Sequence, residues 1–175
     1  EQGRALGEAE QARTALADER ARLLQEIEQL GHELQSIRPL RQELDEARAV
    51  GAALQARGLV PGDHVAVLGP TSRELMTIVR GCWMAGIASM VLPLPMRMGS
   101  IEAFVESTRS RIRHGDAKLV LIDDMLAEFY TSVVGDPPIA PMRSVLPGSP
   151  NVPSGEALQL PPHDPERLVI LQYTS

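Results

Sequence analysis

The chain has 175 residues, room for one domain or for a small domain with an extension. Its 23 acidic residues outnumber 17 basic ones, and the formal net charge of −6 argues against a nucleic-acid-binding surface. Cys82 is the only cysteine, which excludes an internal disulfide and makes a reducing compartment the default. The longest apolar runs, such as Ile87 to Leu92, are far too short to span a bilayer. No apolar stretch of signal-peptide type follows the first residues. The expectation is a soluble, cytoplasmic chain with no membrane span and no nucleic-acid partner.

The segment up to about residue 38 is rich in Glu, Arg, Ala, Leu and Gln, all strong helix formers. Ala9, Leu16, Leu23, Leu30, Ile37 and Leu44 recur at intervals of seven. Leu6, Arg13, Arg20, Ile27, Leu34 and Arg41 form a second such series. Read as d and a positions, these are coiled-coil heptads. Arg13 and Arg20 must snorkel out of the seam and weaken it. Pro39 lacks a backbone donor and crowds the preceding turn, so the helix is expected to break or kink there. Two readings of residues 1–38 stay open. One is a homodimer through residues 6–37; the other is a single amphipathic helix lying on the domain that follows. His32, on a charged helix, reads as solvated.

From about Leu40 the pattern alternates between helix and strand. Leu44, Ala47, Val50, Ala53 and Leu54 recur at helical spacing, and Gly58 fits the position just past a helix end. Pro61-Gly62-Asp63 is turn chemistry, and His64 to Leu68 reads as a buried strand. Thr71 is expected to cap a helix from Ser72 to about Ala85, with Glu74 completing a capping box. Ala88 to Leu92 is a second strand, and Pro93-Leu94-Pro95 forces an extended loop. Ser100 caps a helix to about His114, closed by Gly115. Lys118 to Ile122 is a third strand, and Asp123 or Asp124 opens a short helix to Tyr130. Residues 133–165 are rich in proline and lack an apolar period, which predicts a long surface connection ordered only where it packs. A last strand, Leu168 to Gln172, runs into Tyr173-Thr174-Ser175. The fold class is therefore α/β: a long, coiled-coil-like N-terminal helix over 1–38, then a partial helix-covered parallel sheet over 40–175.

Ligands of such sheets bind beyond the carboxyl ends of the strands. Tyr173-Thr174-Ser175 would lie at such an end, where hydroxyls and backbone N–H groups receive phosphate oxygens. As a bare tripeptide it reads better as an ordinary strand exit. Cys82, beside Trp83 on an apolar helix, reads as core rather than nucleophile. His64 starts a strand and His114 ends a helix, neither with a partner nearby in sequence. Asp123-Asp124 reads as a helix cap rather than a metal site. Arg109, Arg111 and Arg113 do not share one helical face and need not form an anion site. Met96 and Met98, flanking Arg97 in a loop, are candidates for lining an acyl pocket.

The succession is more specific than any one piece. Gly58 to Leu68, then Gly81-Cys82-Trp83-Met84-Ala85-Gly86 leading into Leu92-Pro93-Leu94-Pro95-Met96-Arg97, then Lys118 to Asp123, resembles the early landmarks of adenylate-forming enzymes. These are the acyl-CoA synthetases, the amino-acid-activating domains of peptide synthetases and their relatives. Leu168 to Ser175 resembles the start of that family's phosphate loop, and within the family Leu171-Gln172-Tyr173-Thr174-Ser175 is most similar to bacterial fatty-acyl-AMP ligases. The resemblance covers roughly residues 41 to 175, about three quarters of the chain.

The resemblance implies an enzyme that activates a fatty acid with ATP, using Mg²⁺, to an acyl-adenylate. The acyl group then passes to the pantetheine thiol of an acyl carrier protein or polyketide synthase. Only Thr174 and Ser175 match positions that touch phosphate in the family, and no catalytic or metal-binding residue is carried over. The chain reads as the N-terminal part of such an enzyme, expected to be inactive alone. The alternative is a non-catalytic scaffold that oligomerises a degenerate α/β module.

Overall fold

The computed structural model describes residues 2–94 and 100–173. The chain falls into two compact units, Glu1–Gln42 and Glu43–Ser175. Helix α1, Gln2–Ala56, runs from the first into the second. The break expected at Pro39 does not occur, because that residue lies inside α1. An interior proline costs about 3 kcal/mol through one lost hydrogen bond and a clash. The strong helix formers on both sides, Leu40, Arg41, Gln42 and Glu43 after it and Gln35 and Leu34 before it, favour continuation. In the first unit Leu16, Leu23, Ile27, Leu30, Leu34 and Ile37 are all exposed.

The second unit begins with the last turns of α1, which end in a Schellman turn. Gly58 takes φ +87°, open to glycine without a Cβ penalty. Its N–H donates to Gln55 O (2.9 Å), and the Leu59 N–H donates to Leu54 O (3.3 Å). Leu54 and Leu59 lie together in the core. Then follow β1 (His64–Leu68), α2 (Arg73–Met84), β2 (Ala88–Val91), α3 (Ile101–His114), β3 (Ala117–Ile122) and β4 (Ile139–Pro141). The sheet order is β2-β1-β3-β4, with every described pairing parallel.

Alternation along the strands divides the core into two layers. Val65, Val67, Leu119 and Leu121 pack with Val50, Ala53 and Leu54 of α1 and with Leu75, Ile78 and Cys82 of α2. Ala66, Leu68, Val120 and Ile122 face the other way, onto Met90, Phe104, Ile112 and Tyr130. Both faces are covered, so the strands are apolar almost throughout. The close approach of α1 and α2 depends on Gly81, where a Cβ would stand 2.5 Å from Val50 Cγ1 and 2.9 Å from Ala47 O.

Four local expectations need correction. The cap of α2 is Ser72, not Thr71: Ser72 Oγ accepts from the Leu75 N–H at 3.2 Å. Glu74 is then the second helical residue, and a Thr71–Glu74 box does not form. The segment after β3 is a series of turns rather than a helix. Its bonds are Leu126 N–H to Asp123 O (3.0 Å), Ala127 N–H to Asp124 O (3.4 Å) and Phe129 N–H to Leu126 O (3.1 Å), and so short a run cannot meet the cost of helix nucleation by itself. The proline-rich stretch holds β4, a 3-10 turn at Met142–Val145 and another at Gly155–Ala157. It delivers Ala140, Met142, Val145 and Leu158 to the core. Pro141 is tolerated there because β4 is an edge strand. Finally, Leu168–Gln172 forms a single parallel bridge, Ser89 with Ile170, rather than a strand. By contrast, Ser100 caps α3 and Gly115 closes it as the sequence predicts.

Candidate functional site

With strand order β2-β1-β3-β4, the chain reverses its direction of travel across the sheet between β1 and β3. The crevice beyond their carboxyl ends is where open α/β sheets bind ligands. Asp123 and Met142 close in on the end of β1 there. The Asp123 N–H donates to Leu68 O at 2.8 Å. A Cβ on Gly69 would stand 2.7 Å from Met142 Sδ and 3.2 Å from Asp123 Cβ. The Asp123 carboxylate accepts from the Met125 N–H (2.9 Å), and Asp124 pairs with Arg143. The nearby N-terminus of α2 already carries an anion. Glu74 is held below the usual carboxylate range by a backbone hydrogen bond, then by Ser72. Among the described residues no group of three or more His, Cys, Asp or Glu could hold a metal ion. No chemical step is routed through Mg²⁺.

What the unit does build is a mount for the segment entering Thr174 and Ser175. Ser89, fully buried on β2, is its centre. Its N–H donates to Val169 O (3.0 Å), and its carbonyl accepts from the Leu171 N–H (3.0 Å). Its hydroxyl donates to Val169 O (3.3 Å) and accepts from Trp83 Nε1–H (3.1 Å). This fixes Val169 to Leu171 parallel to β2, heading toward the carboxyl edge. Beyond it, the Tyr173 hydroxyl donates to Arg111 O at 2.8 Å, at the last turn of α3. Burial pushes the Tyr173 phenol up, with the Arg111 charge opposing. Gly115 leaves the space: a Cβ there would come 3.1 Å from the Tyr173 oxygen. The His114 ring lies tilted beside Tyr173, centroids 6.2 Å apart.

The sequence-predicted phosphate ligands, Thr174 and Ser175, lie outside the described residues, as do Pro95, Met96, Arg97 and Met98. Cys82 is core: it is fully buried, and burial pushes its thiol up to about 12. The His64 ring donates from Nδ1 to Gly115 O at 2.6 Å and ties β1 to the end of α3. Arg109 and Arg113, four residues apart, do share a face. Both donate to Asp136, from Arg109 Nε (3.0 Å) and Arg113 Nη2 (3.1 Å), while Arg111 turns to Ser107. The Asp136 carboxylate is wholly buried. Burial alone would raise its pKa, but the Arg109 hydrogen bond, the Val133 N–H and Arg113 outweigh this and leave it lowered. The arginine pair thus fastens the loop before β4 and is not free to take a ligand. Among the described residues, two clefts open at the opposite, amino-terminal edge of the sheet. One of about 380 Å³ is lined by Arg57, Asp63 and Lys118, and one of about 360 Å³ by Asp116, Lys118 and Asp136.

Sequence reasoning misses the role of Ser89 and Trp83. A serine inside an apolar strand, six residues after an indole, is the one hint available. Among the described residues no helix is long and apolar enough to cross a membrane.

Solved structures share this fold. The fatty acyl-adenylate ligase of L. pneumophila, in complex with acyl adenylate and pyrophosphate, is 23% identical at a TM-score of 0.64. It aligns with 77% of this chain and 22% of its own. A structure from a study of fatty acyl-adenylate ligases of E. coli and L. pneumophila is 21% identical at 0.63, over 74% of this chain and 23% of its own. VinN is 23% identical at 0.59, over 77% of this chain and 34% of its own. These likenesses establish the fold, and this chain spans about a fifth to a third of the solved relatives' length. No curated protein sequence matches. The model of the AMP-binding enzymes matches residues 40–175, which takes in the whole sheet, the Ser89 mount and the Tyr173-Thr174-Ser175 end. The chain belongs to the AMP-binding enzyme family.

Proposed function

We propose that this chain supplies the opening part of a ligase that activates a fatty acid with ATP and hands the acyl group to a carrier-protein thiol in the cytoplasm. In that reaction the fatty carboxylate attacks the α-phosphorus of ATP. The bond to pyrophosphate breaks, and acyl-adenylate forms. The pantetheine thiol then displaces AMP. Such chemistry rests on positioning and on stabilising charge at phosphorus. The share assigned to this chain is to present the Thr174 and Ser175 hydroxyls to phosphate oxygens.

The family match over residues 40–175 carries the reading, and the mounted segment Val169–Tyr173 supports it. Fatty acids are the favoured substrate class because Leu171-Gln172-Tyr173-Thr174-Ser175 resembles the fatty-acyl-AMP ligases. The fold alone does not choose the acid, since VinN, with the same fold, was solved with 3-methylaspartate. Because the chain spans about a fifth to a third of the solved relatives' length, the 175 residues by themselves are expected to be inactive.

The test is ATP–pyrophosphate exchange with a panel of carboxylic acids, on the 175-residue chain and on the polypeptide that contains it. Exchange driven by fatty acids in the larger polypeptide, and absent from the chain alone, is the expected result. Exchange driven by amino acids but not by fatty acids would overturn the substrate class. No exchange with any acid would favour the scaffold reading.

A further inference from the structure

Residues 13–40 of α1 carry an apolar stripe that remains exposed. Leu16, Leu23, Ile27, Leu30, Leu34 and Ile37 are between 49% and 69% exposed. Leu24 and Leu40 widen the stripe at its flanks, at 56% and 65%. A repeat of seven drifts by about 20° per heptad around a straight helix, so the stripe winds slowly along α1. Two such helices stay in contact by coiling left-handedly about each other.

We propose that this face binds a second copy of the chain as a parallel, in-register, two-stranded coiled coil. Four of the six apolar core positions from Leu16 to Ile37 fit that geometry, with leucine at d in Leu16, Leu23 and Leu30 and β-branched Ile27 at a; Leu34 at a and Ile37 at d are the exceptions. The flanking charges choose the direction. Glu19, Glu26 and Glu33 occupy successive g positions, and Ala17, Leu24, Gly31 and Arg38 occupy e. In a parallel pair, g of one helix meets e of the next heptad on the other. Glu33 then reaches Arg38 of the second copy, twice per dimer. Arg20, at a, lies beside Glu19 of the second copy, which gives its snorkelling charge a counter-ion. In an antiparallel pair g faces g, and the three glutamates would confront one another with no basic residue among them. Within its own helix Glu33 has only a long contact, from Gln29 Nε2 at 3.4 Å, so its carboxylate is available for this bridge.

The test uses the full 175-residue chain. At tens of micromolar, light scattering should give twice the chain mass of 19.0 kDa. Leu16→Cys should form a disulfide-linked dimer under mild oxidation, because equal positions meet at the seam. The unmodified chain is the control, its Cys82 being buried. An equal mixture of Leu16→Cys and Ile37→Cys chains should give only like-with-like links. Glu33→Lys should weaken self-association about tenfold through two lost pairs and new repulsion. Adding Arg38→Glu should restore it. A monomer at that concentration overturns the proposal. So do links joining position 16 to position 37, and so does tighter association of Glu33→Lys, since that change relieves repulsion only in an antiparallel pair.

Discussion

Leucine and isoleucine meet opposite fates in the two units. Leu23, Ile27 and Leu30 of α1 are about half exposed or more, while Leu68 of β1 and Leu121 of β3 are fully buried. Composition does not explain the difference; spacing does. A repeat of seven lays apolar side chains along one side of a helix, and that side can be buried only against another surface. An alternation of two along a strand sends side chains to both faces of the sheet, where helices of the same unit cover them. The second unit therefore buries its core within itself, while the first leaves its stripe exposed.

That contrast can be broken from either side. The largest effect belongs to the sheet unit. Phe104→Ala, in the layer under α3, should cost about 3–5 kcal/mol in urea unfolding. Leu30→Ala should change the unfolding of the same unit by less than about 0.5 kcal/mol. Equal losses would erase the distinction.

Asp136→Asn comes next, at about 2 kcal/mol, because it leaves Arg109 partly buried without its carboxylate. The sign with pH follows from the lowered pKa of Asp136 in the fold. Its contribution is fully present above the unfolded value of about 3.9 and is lost as pH falls through the lower folded value. Urea midpoints at pH 6 and pH 3 should therefore lie closer together in the Asn variant than in the unmodified chain. A smaller loss is expected from Ser72→Ala, about 1 kcal/mol, through the cap of α2. Thr71→Ala should be near neutral, and thermal melts of the two variants would distinguish them. The reverse ranking would return the cap to Thr71.

Most of the sheet unit was legible because its signals are local and agree with one another. The apolar runs of β1 and β3, the caps Ser100 and Gly115, and the positive φ of Gly58 and Gly86 all follow from residue type and place. Two of the misses depend on a partner remote in sequence. β4 is three residues long and visible only through its pairing with Val120 to Ile122. Asp136 looks like a loop residue until Arg109 and Arg113 reach it from α3. The intrinsic cost of Pro39 predicts a break, and the helix formers around it prevail. For the candidate site, the entering segment was legible as an apolar run. Its mount on Ser89, Trp83 and Arg111 was not, because burial and register cannot be read from a tripeptide.

Native-state hydrogen exchange, resolved along the chain and repeated over a range of concentrations, tests this division most directly. Amides of β1 and β3 should show protection independent of concentration, because their unit buries its own core. Amides of residues 13–40 should be weakly protected when dilute and gain protection as concentration rises, because a helix without a packed face is marginal in water. Protection of residues 13–40 that is as strong at low concentration as at high would contradict the account.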